Sequence, residues 1–304
     1  MSSERPPTID LPAAFRWAAR AQDGSAWLHE EVGRRMEERL QWIKLQPQAW
    51  ADWEPVRGGL AAHAAVARRY PKAQCLVVEA TPQRAQVAAR VLRKPWWARA
   101  HWAGPAARFE MPSDGAVQMV WANMLLHMSA DPQTLIAQWH RALGPDGFLM
   151  FSCLGPDTLR ELRDLYRTLD WPPPAHEFTD MHDWGDMLVN AGFAEPVMDM
   201  ERITLTFDAP ERLLLELRQL GRNLHPGRFS GLRGKKWHAQ LKQAWLQLEP
   251  LVSPPQQRPL TFEIIYGHAL KPQPRLMVQR ETILSLDQMR NELRREKSAP
   301  NTRP

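Results

Sequence analysis

Glycine is scarce in this chain, 16 residues in 304, against roughly 7% of an average protein. Cysteine is scarcer: Cys75 and Cys153 are the only two. Both fall in apolar runs that read as strands, where a thiol acts as a small hydrophobe, so neither a disulfide framework nor a cysteine metal site organises the chain. No stretch approaches the eighteen or so uninterrupted apolar residues of a membrane span. Met1 to Asp10 also lacks the apolar core of a secretory signal. A soluble chain with the cytoplasm as its location, and no membrane partner, is the expectation. Acid is wholly missing from Arg218 to Lys242, a segment that carries Arg218, Arg222, Arg228, Arg233, Lys235, Lys236 and Lys242. Such a block calls for an anionic partner or for water. Elsewhere the charges are mixed in sign, so the net charge of +5 does not by itself make nucleic acid the partner.

What the chain does contain is an alternation of strand and helix, clearest from Gln118 to Tyr166. Met119 to Ala122 is a short apolar strand ending at Asn123, and Leu135, Ile136, Trp139 and Leu143 recur at helical spacing. Gly144, Pro145 and Gly147 break that helix. Phe148 to Leu154 is then a nearly unbroken apolar run, the mark of a strand covered on both faces, and Gly155-Pro156 leads into another helix. This is the unit of an open α/β sheet, whose ligands sit beyond the carboxyl ends of strands. Asn123 to His127 and Cys153 to Thr158 are therefore where a site is expected. Upstream, Gln48 to Asp52 and Leu76 to Val78 read as two further strands, separated by the turn Trp53 to Gly58 and a helix from Gly59 to Arg69. A short strand is expected at Ala100 to Ala103. Glu79, an acid at a strand end, is placed to accept the two hydroxyls of a ribose, or else is an ordinary surface or helix-capping acid.

The run N-M-L-L-H-M-S-A-D-P from Asn123, W-H-R-A-L-G-P-D-G-F-L-M-F-S from Trp139, G-P-D-T-L-R-E-L from Gly155 and a late Y-G-H-A at Tyr266 resemble class I S-adenosylmethionine-dependent methyltransferases. They most resemble the BioC family, malonyl-acyl-carrier-protein O-methyltransferases of biotin synthesis. The likeness extends from about Ala13 to about Pro272. It implies a Rossmann-like sheet, mostly parallel with a C-terminal antiparallel hairpin, leading helices over the cofactor pocket, and a helical insertion at about 208–250 between the last two strands that forms a lid. It also implies S-adenosylmethionine as cofactor, bound by Asp52, Gly58, Gly59, Glu79 and Asn123, and an acyl carrier protein as partner.

The same stretch departs from the family. In D-W-E-P-V-R-G-G, Asp52 fits the leading acid and Gly58 the last glycine, but Glu54 and Val56 stand where glycine would let backbone amides approach a ligand. Gln118 replaces a usual aspartate, and Arg108 to Pro112 lacks the aspartate expected near adenine, with Glu110 at the wrong spacing to replace it. Either the loop takes another course through Pro55, or cofactor binding is weak or lost. In the second case the fold serves as a binding or assembly protein, its crevice filled by side chains such as Trp53 and Glu54. Methylation of a carboxylate asks for no general base, because a carboxyl of pKa about 4 is already ionised at neutral pH. It asks for a group that places the substrate. His127, Arg160 and Arg163 are the candidates, with a satisfied loop histidine and solvated helix arginines as the ordinary alternatives. Neither His182 nor His268 has a companion at metal-ligand spacing, so no metal is expected.

Around this centre the pattern gives a polar leader over 1–10, helices at Pro12 to Ala21 and Ser25 to Leu45 with Ser25 as cap, and a helix on the stripe Leu159, Leu162, Tyr166 and Leu169. Thr158 with Glu161, and Asp208 with Glu211, have capping-box spacing. A helix from Asp180 to Ala191 stopped by Gly192, a strand from Val197 to Phe207, helices to Leu220 and from Gly234 to Leu248, and a strand from Leu260 to Leu270 complete the methyltransferase-like region of 11–272. Residues 273–304 read as a helix-prone, charged tail.

Overall fold

Six strands form one sheet in the order β2-β1-β3-β4-β6-β5. The strands are β1 (Ala49–Trp53), β2 (Gln74–Val78), β3 (Val117–Ala122), β4 (Leu143–Leu154), β5 (Ala194–Phe207) and β6 (Arg258–Leu270). β1 pairs in parallel with β2 and β3, and β3 with β4, whereas β6 runs antiparallel between β4 and β5. This computed structural model describes residues 9–20, 24–92, 105–248 and 257–274. The strand expected at Ala100 to Ala103, with Trp96, Trp97 and Trp102, lies outside the described residues. Immediately after it, Arg108 bridges in parallel to Leu76 beside β2. Met1–Pro272 is one compact unit; of the second, Gln273–Pro304, only residues 273 and 274 are described.

The central strands are mostly apolar because both faces are covered. Trp50, Met119, Trp121, Phe148 and Tyr266 face one layer, built on α2 (Trp27–Arg39) and α4 (Leu60–Arg69). Ala51, Trp53, Val120, Phe151 and Cys153 face the other, where α6 (Pro132–Ala142) and α8 (Met181–Asn190) supply Trp139 and Trp184. β5, at the edge, keeps the alternation of a half-exposed strand, with Ile203 and Phe207 buried. Cys75 and Cys153 are buried free thiols.

Helix ends follow local chemistry in some places and distant contacts in others. Asp131 accepts from Thr134 N at 3.0 Å and Pro132 opens the first turn of α6. Asp10 caps α1 (Leu11–Ala19) through Ala13 N at 2.7 Å, and Ile9 beside it is buried, so the last two residues of the expected leader are ordered. The second helix is shorter than its pattern, closing in a 3-10 turn at Leu40–Trp42, and Ala26 rather than Ser25 precedes it. Both expected capping boxes are absent. At α7 (Arg160–Thr168), Thr158 Oγ1 exchanges hydrogen bonds with the backbone of Glu263, and Glu161 accepts from Thr261 N at 2.9 Å and from its hydroxyl at 2.5 Å. Leu165 takes the buried place expected for Leu169. α9 (Pro210–Leu220) begins at Ala209 without a side-chain cap, because Glu211 pairs with Lys242 of α10 (Lys235–Leu246) at 2.6 Å. α9 and α10 both lie between β5 and β6, the helical insertion expected there.

Candidate functional site

Four strands deliver their carboxyl ends to one edge of the sheet. Asp52, at the end of β1, is buried and accepts from His63 Nδ1 of α4 at 2.6 Å. Burial pushes its carboxyl up and the imidazole pulls it down. After it, Glu54 takes a left-handed conformation at φ 58° and opens a single helical turn, α3 (Pro55–Gly58). Glycine would adopt this conformation freely, whereas Glu54 holds it against the steric cost of its Cβ. A Cβ at Gly58 would stand 2.8 Å from the Asn123 carbonyl, so glycine survives there for close approach to the end of β3. Gly59, at φ 138°, precedes α4, whose first free amides, Ala61 and Ala62, donate to Glu30 at 3.2 and 3.0 Å.

The end of β2 is equally occupied. Glu79 Oε1 accepts from Val56 N at 2.9 Å, Oε2 stands 3.6 Å from Arg84 Nε, and the side chain has no exposure. Burial pushes this carboxyl up to about 7, against the Val56 bond and the charge of Arg84. Arg84, itself fully buried on α5 (Pro82–Leu92), also donates to Glu54. Arg57 lies beneath Trp17 of α1 and donates to its carbonyl, and burial lowers its guanidinium to about 10. Asn123 gives its amide to His29 O at 2.7 Å and to Gly58 O, and accepts from Ser152 Oγ at 2.6 Å. The sequence-predicted Asp52, Gly58, Gly59, Glu79 and Asn123 therefore gather at one edge, each already partnered within the chain. Trp53 turns to the opposite face, with its ring 6.3 Å from Trp139.

Past β3 the chain passes His127 and meets a cavity of about 110 Å³ between the β4–α7 turn and α9. The crevice that Trp17, Arg57 and Asn123 line retains about 10 Å³, and it shares Met128 and Leu220 as walls with this cavity. His127 is buried, its ring against Phe178, and burial holds it well below its ordinary value. Arg163 packs over Phe178 and donates to His176 O at 3.0 Å. Arg160 faces solvent and pairs with Glu161 at 3.2 Å, away from the cavity lining. Sequence reasoning passed over Trp17, Arg84 and His176, and reads Arg222 only as part of the basic segment. Of the first three only Arg84 left a signal, at i−4 from Ala88 on the buried face of α5. Among the described residues no three His, Cys, Asp or Glu groups gather as metal ligands.

A family model described as a methyltransferase domain matches residues 57–151. The malonyl-[acyl-carrier protein] O-methyltransferase of Gallionella capsiferriformans is 38% identical over 272 residues, spanning 86% of this chain and 90% of that protein. Its counterpart in Laribacter hongkongensis is also 38% identical, over 86% of this chain and 88% of the relative. The chain belongs to the malonyl-[acyl-carrier protein] O-methyltransferase family. Its fold is that of solved methyltransferase-like structures. The YcgJ protein of Bacillus subtilis has a TM-score of 0.53 at 14% identity, over 79% of this chain and 99% of that one. A putative methyltransferase of Bacillus halodurans has 0.52 at 16%, over 79% and 100%.

Methyltransferase membership implies S-adenosylmethionine, and the residues of this family member meet that group unevenly. Glu79 Oε2, buried without a hydrogen-bond partner and 3.6 Å from Arg84 Nε, is an acceptor of the kind a ribose hydroxyl needs. At the methionine end the arrangement does not fit. About 10 Å³ is room for a single water. The amides that open α4 are taken by Glu30, and the Arg57 guanidinium, itself a cation, is one of the crevice walls. No step through the cofactor is derived from this arrangement.

Proposed function

We propose that this chain is an S-adenosylmethionine-dependent O-methyltransferase that esterifies the free carboxylate of a malonyl thioester on acyl carrier protein, in biotin synthesis. The near full-length match to relatives of that name carries the reading. The chain's own task is to place an ionised carboxylate and exclude water, and the covering elements serve the second need. α1 is tied over the site by Asp10, whose backbone N–H donates to Leu224 O at 2.8 Å and whose carboxylate pairs with Arg228 at 2.9 Å. For the acidic carrier, Arg218, Lys235 and Lys236 are exposed cations without an ion pair among the described residues. Incubating the full chain with S-adenosylmethionine and malonyl carrier protein, with mass spectrometry for the methyl ester and calorimetry with S-adenosylhomocysteine, tests the proposal. Neither ester nor heat at millimolar nucleoside would remove it.

A second reading draws on the filled crevice: a carrier-binding member of the family that performs no transfer. Ester formed at a catalytic rate excludes it.

A further inference from the structure

Two buried imidazoles at the inner cavity have unfinished hydrogen bonding. His176 is 3% exposed and directs Nε2 at the His127 carbonyl, 2.9 Å away. A carbonyl only accepts, so Nε2 carries the proton. Burial holds His176 at about 4, so the ring is neutral near pH 7 and its Nδ1 is a bare acceptor. That Nδ1, and Nδ1 of His127, are buried without a partner, and both residues line the cavity. Unpartnered buried polar atoms are costly and call for an occupant.

The rest of the lining narrows the occupant's chemistry. Leu154, Leu162 and Phe262 form an apolar body, and Leu159, also on the wall, is held at φ 62°, a conformation costly for a branched side chain. Arg222 is the cation on the wall. One of its guanidinium nitrogens, Nη1, serves the Arg218 and Gly221 carbonyls at 2.7 Å, which fixes the group in place. A ligand that suits these walls has a short carbon chain, an anion at one end and an N–H donor at the other. A bare imidazole nitrogen repels a carboxylate, so the two ends are not interchangeable.

We infer that this cavity is the acceptor chamber and takes the acyl-pantetheine end of the substrate, with the free carboxylate on Arg222 and a pantetheine amide N–H donated to His176 Nδ1. This rests on the proposed carrier-bound substrate, but it concerns binding alone and needs no methyl donor. It makes His176 and Arg222 specificity-determining residues for the two ends of one ligand.

The test is calorimetry on the full chain with three probes: a non-hydrolysable malonyl-pantetheine amide, its methyl ester, and free malonate. The parent is expected to bind the first most tightly. Arg222→Met should weaken the charged probe about tenfold or more, the worth of a charged hydrogen bond, and leave the methyl ester unchanged. His176→Phe should weaken both pantetheine probes and leave malonate alone. Leu217→Phe, which fills the cavity from α9 and removes no polar group, should weaken both pantetheine probes and covers the case in which His176→Phe fails to fold. No saturable binding by the parent at millimolar probe, or parental affinity in Arg222→Met and Leu217→Phe, overturns the chamber. Tight binding with no ester formed upholds the chamber and removes the transferase proposal. Ester formation indifferent to Arg222→Met does the reverse.

Discussion

The guanidinium carbon of Arg57 lies 4.2 Å from the centre of the Trp17 ring, and the same guanidinium donates to the Trp17 carbonyl. Loop and leading helix are thereby joined across the crevice. If a nucleoside enters only when this contact opens, its apparent affinity is reduced by the fraction of molecules that are open. Trp17→Ala should tighten S-adenosylhomocysteine several-fold in calorimetry, while costing about 3 kcal/mol of stability at the low end for a buried aromatic. Equal or weaker binding by the variant would show that α1 does not gate the crevice.

Arg84 has two carboxylates against it, Glu54 and Glu79, and none of the three side chains is more than 13% exposed. Removing the cation leaves two acids buried side by side. Arg84→Met should destabilise the chain by about 3–5 kcal/mol, the usual cost of orphaning a buried charge. Urea denaturation measures it, and a loss below 1 kcal/mol would mean that water reaches the cluster.

Glu79 binds its proton more tightly folded than unfolded, with its carboxyl raised from 4.5 to about 7. Between those values the native chain holds more protons than the unfolded one, so this residue's contribution to stability falls as pH rises through the window. His176, depressed from 6.5 to about 4, works in the opposite sense, and its contribution is lost as pH falls from 6.5 toward 4. Glu79→Gln isolates the first effect. The denaturation midpoint of the variant minus that of the parent should climb from pH 4.5 to pH 7, and parallel curves would refute the buried carboxyl.

Docking of an acidic carrier is best probed at Lys235, which is exposed at the start of α10, rather than at Arg163, whose guanidinium is committed to His176 O and Phe178. Lys235→Glu should slow association with carrier protein at low salt and flatten its salt dependence, with little effect on folding. Association as fast as that of the parent would leave the segment as solvated surface.

Gly267 faces Phe151 across the β4–β6 ladder, and a Cβ there would come within 2.1 Å of the ring. Gly267→Ala should cost about 1–3 kcal/mol through overpacking in the middle of the sheet. An unchanged thermal midpoint would mean that the ring has room to turn.

The strands could be read from the sequence because unbroken apolar runs between glycine and proline signals have few other uses, whereas their arrangement in the sheet came only with the family resemblance. The motifs that carried the resemblance mean something different in three dimensions. Gly155, Asp157, Thr158 and Glu161 of G-P-D-T-L-R-E-L pack or bond to Thr261 and Glu263 of β6. In Y-G-H-A, Tyr266 donates to Glu201 of β5 at 2.5 Å and Gly267 admits Phe151. These fix the sheet, and of the two motifs only Thr158, Leu159 and Leu162 line the inner cavity. The capping-box readings failed for the same reason: local spacing cannot show that Glu161 is spoken for by Thr261 of β6, a hundred residues away, or Glu211 by Lys242 of α10. Glu54 was recognised as out of place, yet its partner Arg84, thirty positions on, could not be paired with it from spacing alone.

Because β6 follows β5 in the chain yet sits between β4 and β5, the sheet cannot be assembled in the order in which it is made. As the polypeptide leaves the ribosome, β4 presents an unpaired edge and β5 has no neighbour until the whole insertion and then β6 have emerged. Phe262 of that strand is also a wall of the inner cavity. A nascent or truncated chain ending before β6 therefore has a sticky strand edge and lacks one wall of that cavity.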